Sequence, residues 1–372
     1  MNTSEREPAP VTRRIASLPA TVPFTAPEAL ERSSGRPFVL RLGANESTFG
    51  PAPRVREAMR AAVDRVQFYA DPECYELRAA LADQYGVRIE NVVVGSGIDD
   101  LLGLVVRAFL DEGETAVTSR GAYPTFNYHV AGYGGTLEMV PYRNDRNDLE
   151  ALAAAAHQTS ARLIFLANPD NPTGSYYSAA ELRTFMDALP ARALLLLDEA
   201  YVDFAPAEAL LPLDVADTRV IRLRTFSKAH GMAGARIGYA AGAASIIREF
   251  EKIRLHFGVN LMAQAGALAS LASTDYIADV VAEVARGREE YAALARELRM
   301  SPLPSAASFV ALDTGSAERA RALMAALAAR DVFVRMPGVP PLDRCIRVTV
   351  GTPTERAAFA AVLREVWPHV VS

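Results

Sequence analysis

From Pro51 onward the chain alternates two hydrophobic periods. The segments 51–66 (PAPRVREAMRAAVDRV), 75–86 (YELRAALADQYG) and 98–110 (IDDLLGLVVRAFL) place apolar residues three and four apart, which predicts amphipathic helices. Between such segments stand short apolar runs: 91–97 (NVVVGSG), 114–119 (ETAVTS), 161–168 (ARLIFLAN), 193–201 (ALLLLDEAY), 219–227 (RVIRLRTFS) and 235–242 (ARIGYAAG). Runs this short and this uniformly apolar predict strands buried on both faces. Their alternation with helices predicts an α/β fold with a mostly parallel sheet between helices. Ligands of such sheets bind beyond the carboxyl ends of the strands, so the residues that end each run are the ones to examine.

After Gly242 the texture changes. Residues 243–300 are alanine-rich and helical in pattern, followed by the strand 308–313 (SFVALD), a helix through 322–330, the strands 332–336 (VFVRM) and 345–350 (CIRVTV), and a last helix from Pro353. We therefore expect an N-terminal arm over 1–37 that packs with the small domain, a large domain over 38–242 and a smaller α+β domain over 243–372.

Composition narrows the chemistry. The 372 residues carry a net charge of −5 with no basic stripe, which argues against a nucleic-acid partner. Cys74 and Cys345 form no CxxC pair, and no apolar run approaches the ~18 residues that span a membrane. The polar, Pro-rich start has no apolar stretch of signal-peptide length, so a cytoplasmic location is expected. The sequence contains no GxxxxGK[ST], HExxH or GxSxG, and its five histidines lack metal-ligand spacing. Of the 39 basic residues only Lys228 and Lys252 are lysine. Where arginine is the default cation, a retained lysine points to chemistry that needs a primary amine able to lose its proton.

Four clusters sit at predicted strand ends. GSGIDD (95–100) is a glycine turn opening a helix, which can offer backbone N–H groups to an anion or be a plain turn. NPDNPTG (168–174) places Asn171 among turn formers. In LLLLDEAY (194–201), Asp198 ends an apolar strand, either as a helix cap or as a buried carboxylate that needs a cationic partner, and Tyr201 follows it. RTFSKAHGMAGARIGY (224–239) gathers Thr225, Ser227 and Arg236, groups suited to a phosphate, around Lys228.

Together NPTG, DEAY and SKxxGMAGxRxGY resemble the fold-type I, class I/II pyridoxal-phosphate-dependent aminotransferases, and among them most the histidinol-phosphate aminotransferases, from about Leu40 to the C-terminus. The resemblance implies pyridoxal 5'-phosphate held covalently by Lys228, which also moves the reacting proton. It implies Asp198 against the pyridinium nitrogen, Asn171 and Tyr201 against the ring's phenolic oxygen, and the phosphate on the backbone at Ile98 and Asp99 with Thr225, Ser227 and Arg236. Phe126, chosen over Tyr123 and Tyr128, is expected to stack on the ring. Tyr69 is expected to reach the phosphate of a partner subunit, which implies a homodimer. Asn45, Arg335 and Arg347 match substrate-side positions, with Arg347 gripping the α-carboxylate. Where the histidinol-phosphate enzymes usually carry a tyrosine in the arm, this chain has Phe24. An aromatic or broad-range aminotransferase and a phospho-amino-acid decarboxylase of the same fold are the alternatives. A non-catalytic cofactor sensor would need a DNA-binding domain that a 37-residue lead cannot hold.

Overall fold

The computed structural model describes residues 10–19 and 25–371. Its strands are β1 (Leu40–Arg41), β2 (Val92–Gly95), β3 (Thr115–Ser119), β4 (Thr136–Val140), β5 (Leu163–Ala167), β6 (Leu194–Asp198), β7 (Val220–Thr225), β8 (Gly238–Gly242), β9 (Ser301–Pro302), β10 (Phe309–Asp313), β11 (Val332–Phe333) and β12 (Cys345–Thr349). Seven of them form one sheet in the order β2-β8-β7-β6-β5-β3-β4. All its pairings are parallel except those of β8, which runs antiparallel to β2 and β7.

The six apolar runs form six of these strands, and β5, β6 and β8 are buried at every position. One face is covered by the helix Ile98–Phe109, whose Leu101, Leu102 and Val105 pack on Phe165, Leu196 and Leu223. The helices Leu149–Gln158 and Ala179–Asp187 cover the other, against Ile164, Leu195 and Leu197. β4 has no counterpart among the predicted strands. It is the edge strand, only Val140 is buried, and exposed Thr136 and Glu138 dilute its apolar signal.

A second core lies around β9, β10, β12 and the helices Thr274–Glu297, Ala317–Ala328 and Pro353–Val371. The predicted strand 332–336 is shorter than its pattern: only Val332–Phe333 pairs, parallel to β1, while Arg335 makes an isolated bridge with Arg347 of β12. Two segments pack across the boundaries read from sequence. Leu40 and Leu42 are buried in the C-terminal core, and Ile246, Ile247 and Phe250 join the core of the large sheet. Among the described residues no helix is long and apolar enough to cross a membrane.

Candidate active site

The carboxyl ends of β5, β6 and β7 open into a cavity of about 320 Å³. Ile98, Asp99, Asn171, Asp198, Tyr201, Thr225, Ser227, Lys228 and Arg236 all line it, so four stretches spread over more than a hundred residues of sequence meet where the sheet geometry directs them.

Asp198 is the last residue of β6 and is 5% exposed. Its Oδ1 accepts the Ala200 N–H at 2.9 Å, and among the described residues no cation lies within ion-pair distance. Burial pushes its carboxyl up to about 7, against the opposing pull of the Ala200 N–H, with nearby Asp99 adding to the rise. The neighbouring Glu199 has the opposite fate. Burial alone would raise it, but Arg224 and Arg222 overcome that and hold it below the usual carboxylate range. Arg222 donates twice to its carboxylate, at 3.0 and 2.6 Å, and Arg224 Nε donates at 2.9 Å. This buried triad fixes the strand end that aims Asp198 into the cavity.

Lys228 Nζ donates to the Asn45 carbonyl at 3.0 Å and lies 5.6 Å from the centre of the Tyr201 ring. On one side of it, Thr225 Oγ1 donates to Ser227 Oγ at 2.9 Å and accepts the Ser227 N–H at 3.1 Å. Arg236 Nη2 meets Asp99 Oδ2 at 3.2 Å, and Tyr123 donates its hydroxyl to Asp99 Oδ1 at 3.0 Å. The helix that begins at Ile98 is entered through Gly97, whose φ of +91° and whose contact with Arg236 leave no room for a side chain. Hydroxyls, a guanidinium and a helix N-terminus thus converge at one end of the cavity, the donor set of a phosphate cradle.

Arg347 of β12 and Arg335 beside it, both expected on the substrate side, are not among the residues that line this cavity, although Arg347 bonds Asn171, which is. Arg347 donates to Asn171 Oδ1 and, at 3.1 Å, to the Gly43 carbonyl, and its buried Nε has no hydrogen-bond partner among the described residues. Arg335 donates to the Thr25 carbonyl at 2.7 Å, and burial together with Arg347 lowers its guanidinium to about 10. The backbones of Arg335 and Arg347 bridge one another, which sets the two guanidiniums near each other.

Two expectations, those for Phe126 and Asn45, are placed differently. Phe126 does not reach the cavity: it is fully buried, stacked on Phe165 at 5.1 Å in the core under the helix Ile98–Phe109. Tyr123, three residues earlier, is the aromatic side chain that lines the cavity, and burial and Asp99 both push its hydroxyl well above the ordinary tyrosine value. Both fit the aromatic pattern of the helix Thr125–Tyr133 and the turn before it, and only the packing separates them. Asn45 lies behind the cavity wall, where it bonds Tyr201 and Thr349 while its neighbours Ala44 and Glu46 face the cavity. Tyr69 is 82% exposed, stacked on Phe257 outside this cavity. Phe24 lies outside the described residues. Glu46, Ala233 and Gly234 also line the cavity; no spacing in the sequence marked them.

Residues 37–363 match the family described as aminotransferase class I and II. The chain is 37% identical to a histidinol-phosphate aminotransferase of Roseiflexus castenholzii, covering 95% of this chain and 96% of that one. It is 34% identical to histidinol-phosphate aminotransferase 2 of Carboxydothermus hydrogenoformans, over 96% and 99% of the two chains. Its structure is similar to that of histidinol-phosphate aminotransferase from Sinorhizobium meliloti in complex with pyridoxal-5'-phosphate, with a TM-score of 0.94, 47% identity and coverage of 97% and 98%.

Proposed function

Because the chain belongs to the class I and II aminotransferases, we propose that it is a pyridoxal-phosphate-dependent transaminase that takes its amino group from histidinol phosphate and gives it to 2-oxoglutarate. The cofactor fits the residues present. The buried Asp198, with no ion pair among the described residues, suits a pyridinium nitrogen, the cradle around Gly97, Ser227 and Arg236 suits the phosphate, and Lys228 suits the aldehyde. Once bound, the pyridinium ring supplies an electron sink for charge developing at the donor carbon.

The protein's part is to bind, orient and move a proton. Asp198 would keep a proton on the ring nitrogen, and that cation would in turn stabilise its carboxylate. Lys228 would hold the cofactor through its amine and, once freed by the donor's amine, would be the base that takes the proton from the donor carbon and returns one during release. The overall exchange would turn the donor into a keto compound and the keto acid into an amino acid. Arg347 grips a carboxylate through a two-pronged bond and Arg335 meets the distal anion.

Arg347, whose guanidinium bonds the cavity-lining Asn171, is the observation that carries the substrate proposal, together with the likeness to histidinol-phosphate aminotransferases. Tyr69, exposed beside Phe68 and Phe257, is proposed to complete the cradle of a second copy, making the enzyme a homodimer, and a cytoplasmic location goes with this reading.

The purified holoenzyme should lose its yellow chromophore on mixing with histidinol phosphate and form imidazole-acetol phosphate. Histidinol, without the phosphate, should react about 100-fold less efficiently. Aromatic amino acids reacting faster than histidinol phosphate would overturn the substrate assignment in favour of a broad-range aminotransferase. Carbon dioxide release from a phospho-amino acid would overturn it in favour of a decarboxylase.

A further inference from the structure

Asn45 occupies an unusual place for a residue expected to touch substrate. It is 3% exposed and its backbone is left-handed, with φ +55°. All its polar groups are engaged. Its N–H donates to Thr349 Oγ1 at 3.1 Å, its carbonyl accepts from Lys228 Nζ at 3.0 Å, and its side-chain Nδ2 donates to the Tyr201 hydroxyl at 2.8 Å. Thr349 in turn donates its hydroxyl proton to Asn45 Oδ1 at 3.2 Å.

The direction of each bond follows from this closed loop. Thr349 Oγ1 has already accepted the Asn45 N–H, so its own proton goes to the amide oxygen, and the amide must present its NH2 side to Tyr201. A tyrosine oxygen that accepts an N–H has its proton left to donate elsewhere, and accepting that bond makes it a stronger donor. Tyr201 lines the cavity, so its proton is directed there.

We infer that Asn45 is a positioning residue that, through Tyr201, sets the protonation of the cofactor–Lys228 linkage. The inference rests on the cofactor reading above. Polarised by Asn45, the Tyr201 hydroxyl stabilises negative charge on the ring's phenolic oxygen, which favours loss of the linkage proton. Thr349, one strand position beyond the neighbour of Arg347, locks the amide in the orientation that makes this possible.

The test is a spectroscopic titration of the substrate-free holoenzyme. Asn45→Gly removes the side chain in a residue type that accepts the left-handed backbone without strain. It is expected to move the midpoint of the visible chromophore upward by about half to one pH unit, the effect of one hydrogen bond. Tyr201→Phe is expected to move it at least as far. In the double variant Asn45→Gly/Tyr201→Phe the midpoint should equal that of Tyr201→Phe alone, because Asn45 acts through that hydroxyl. Thr349→Val frees the amide to turn and should shift the midpoint in the same direction by less, which keeps the inference testable if Asn45→Gly fails to fold. An unchanged midpoint in Asn45→Gly, or shifts that add in the double variant, would overturn it. If the wild-type protein forms no chromophore reducible onto Lys228, the cofactor reading itself fails, an outcome distinct from either.

Discussion

Arg347 of β12 donates its guanidinium to the side-chain oxygen of Asn171, the residue that follows the turn after β5. The C-terminal core thereby touches the large sheet through two polar groups, and with its oxygen turned to Arg347 the Asn171 amide has its N–H groups left to offer the cavity.

Arg347→Lys keeps the charge but loses the planar fork. For a carboxylate held through two parallel bonds, the substitution should lower kcat/KM for glutamate or 2-oxoglutarate by about 100-fold. Cofactor retention, proposed to rest on Lys228, Asp198 and the phosphate cradle, should change little. Steady-state kinetics with absorbance of the bound cofactor separate the two, and loss of cofactor in step with activity would contradict this division of labour.

Asp198 makes a prediction about pH in the cofactor-free protein. Its carboxyl titrates near 7 when folded and in the ordinary carboxylate range when unfolded. Between about pH 4 and pH 7 the unfolded chain therefore holds fewer protons than the folded one, and this group's contribution to stability falls as the pH rises. The loss is complete above pH 7 and amounts to at most about 4 kcal/mol. Asp198→Asn carries no such penalty. Without cofactor it should melt higher than the wild type at pH 8 and much closer to it at pH 4.5, whereas with cofactor it should lose activity. Thermal melts at the two pH values check this, and an equal gap at both would show that burial of the charge is not the cause.

Most of this arrangement could be read from the chain because parallel strands buried on both faces leave continuous apolar runs, and their last residues necessarily line one rim of the sheet. Asp198 and Thr225 end their strands and Asn171 stands in the turn after β5, and all three line the cavity. What could not be read depends on side-chain direction within short irregular stretches. Phe126 and Tyr123 are both aromatic and three residues apart, but one faces the core under a helix and the other the cavity. Asn45 points away from the cavity that its neighbours Ala44 and Glu46 line, because its left-handed backbone turns the amide toward Thr349 and Tyr201. β4 escaped notice for a different reason: an edge strand with one wet face has too little apolar density to stand out.

Gly97 controls the phosphate end. A Cβ there would lie 2.6 Å from Arg236 Nη2, at a φ of +91° that side chains rarely adopt. Gly97→Ala should displace the Arg236 guanidinium and weaken binding of pyridoxal 5'-phosphate by about 10- to 100-fold, the loss of one or two charge-assisted bonds. Pyridoxal, which lacks the phosphate, should bind the variant and the wild type alike. Equal weakening for both ligands in equilibrium titrations would point instead to a general distortion of the helix start.

The exposed Tyr69 allows a test of whether each site draws on two chains. Lys228→Ala removes the reacting amine of a protomer's own site, and Tyr69→Ala removes the group proposed to serve its neighbour's site. In a mixed dimer of the two variants, one site combines an intact Lys228 with the intact Tyr69 of the other chain, while the second site lacks both. Refolding or co-expressing the variants together should therefore restore activity to about half the wild-type value per mixed dimer, although Lys228→Ala alone is expected to be inactive and Tyr69→Ala alone impaired. If Tyr69 instead served its own chain, the mixed dimer would hold one site without the amine and one without the tyrosine, and mixing would restore nothing. The steady-state rate of the mixed species, purified by two different affinity tags, decides between these outcomes, because no change in folding or expression of either variant can create a site that is intact only across the interface.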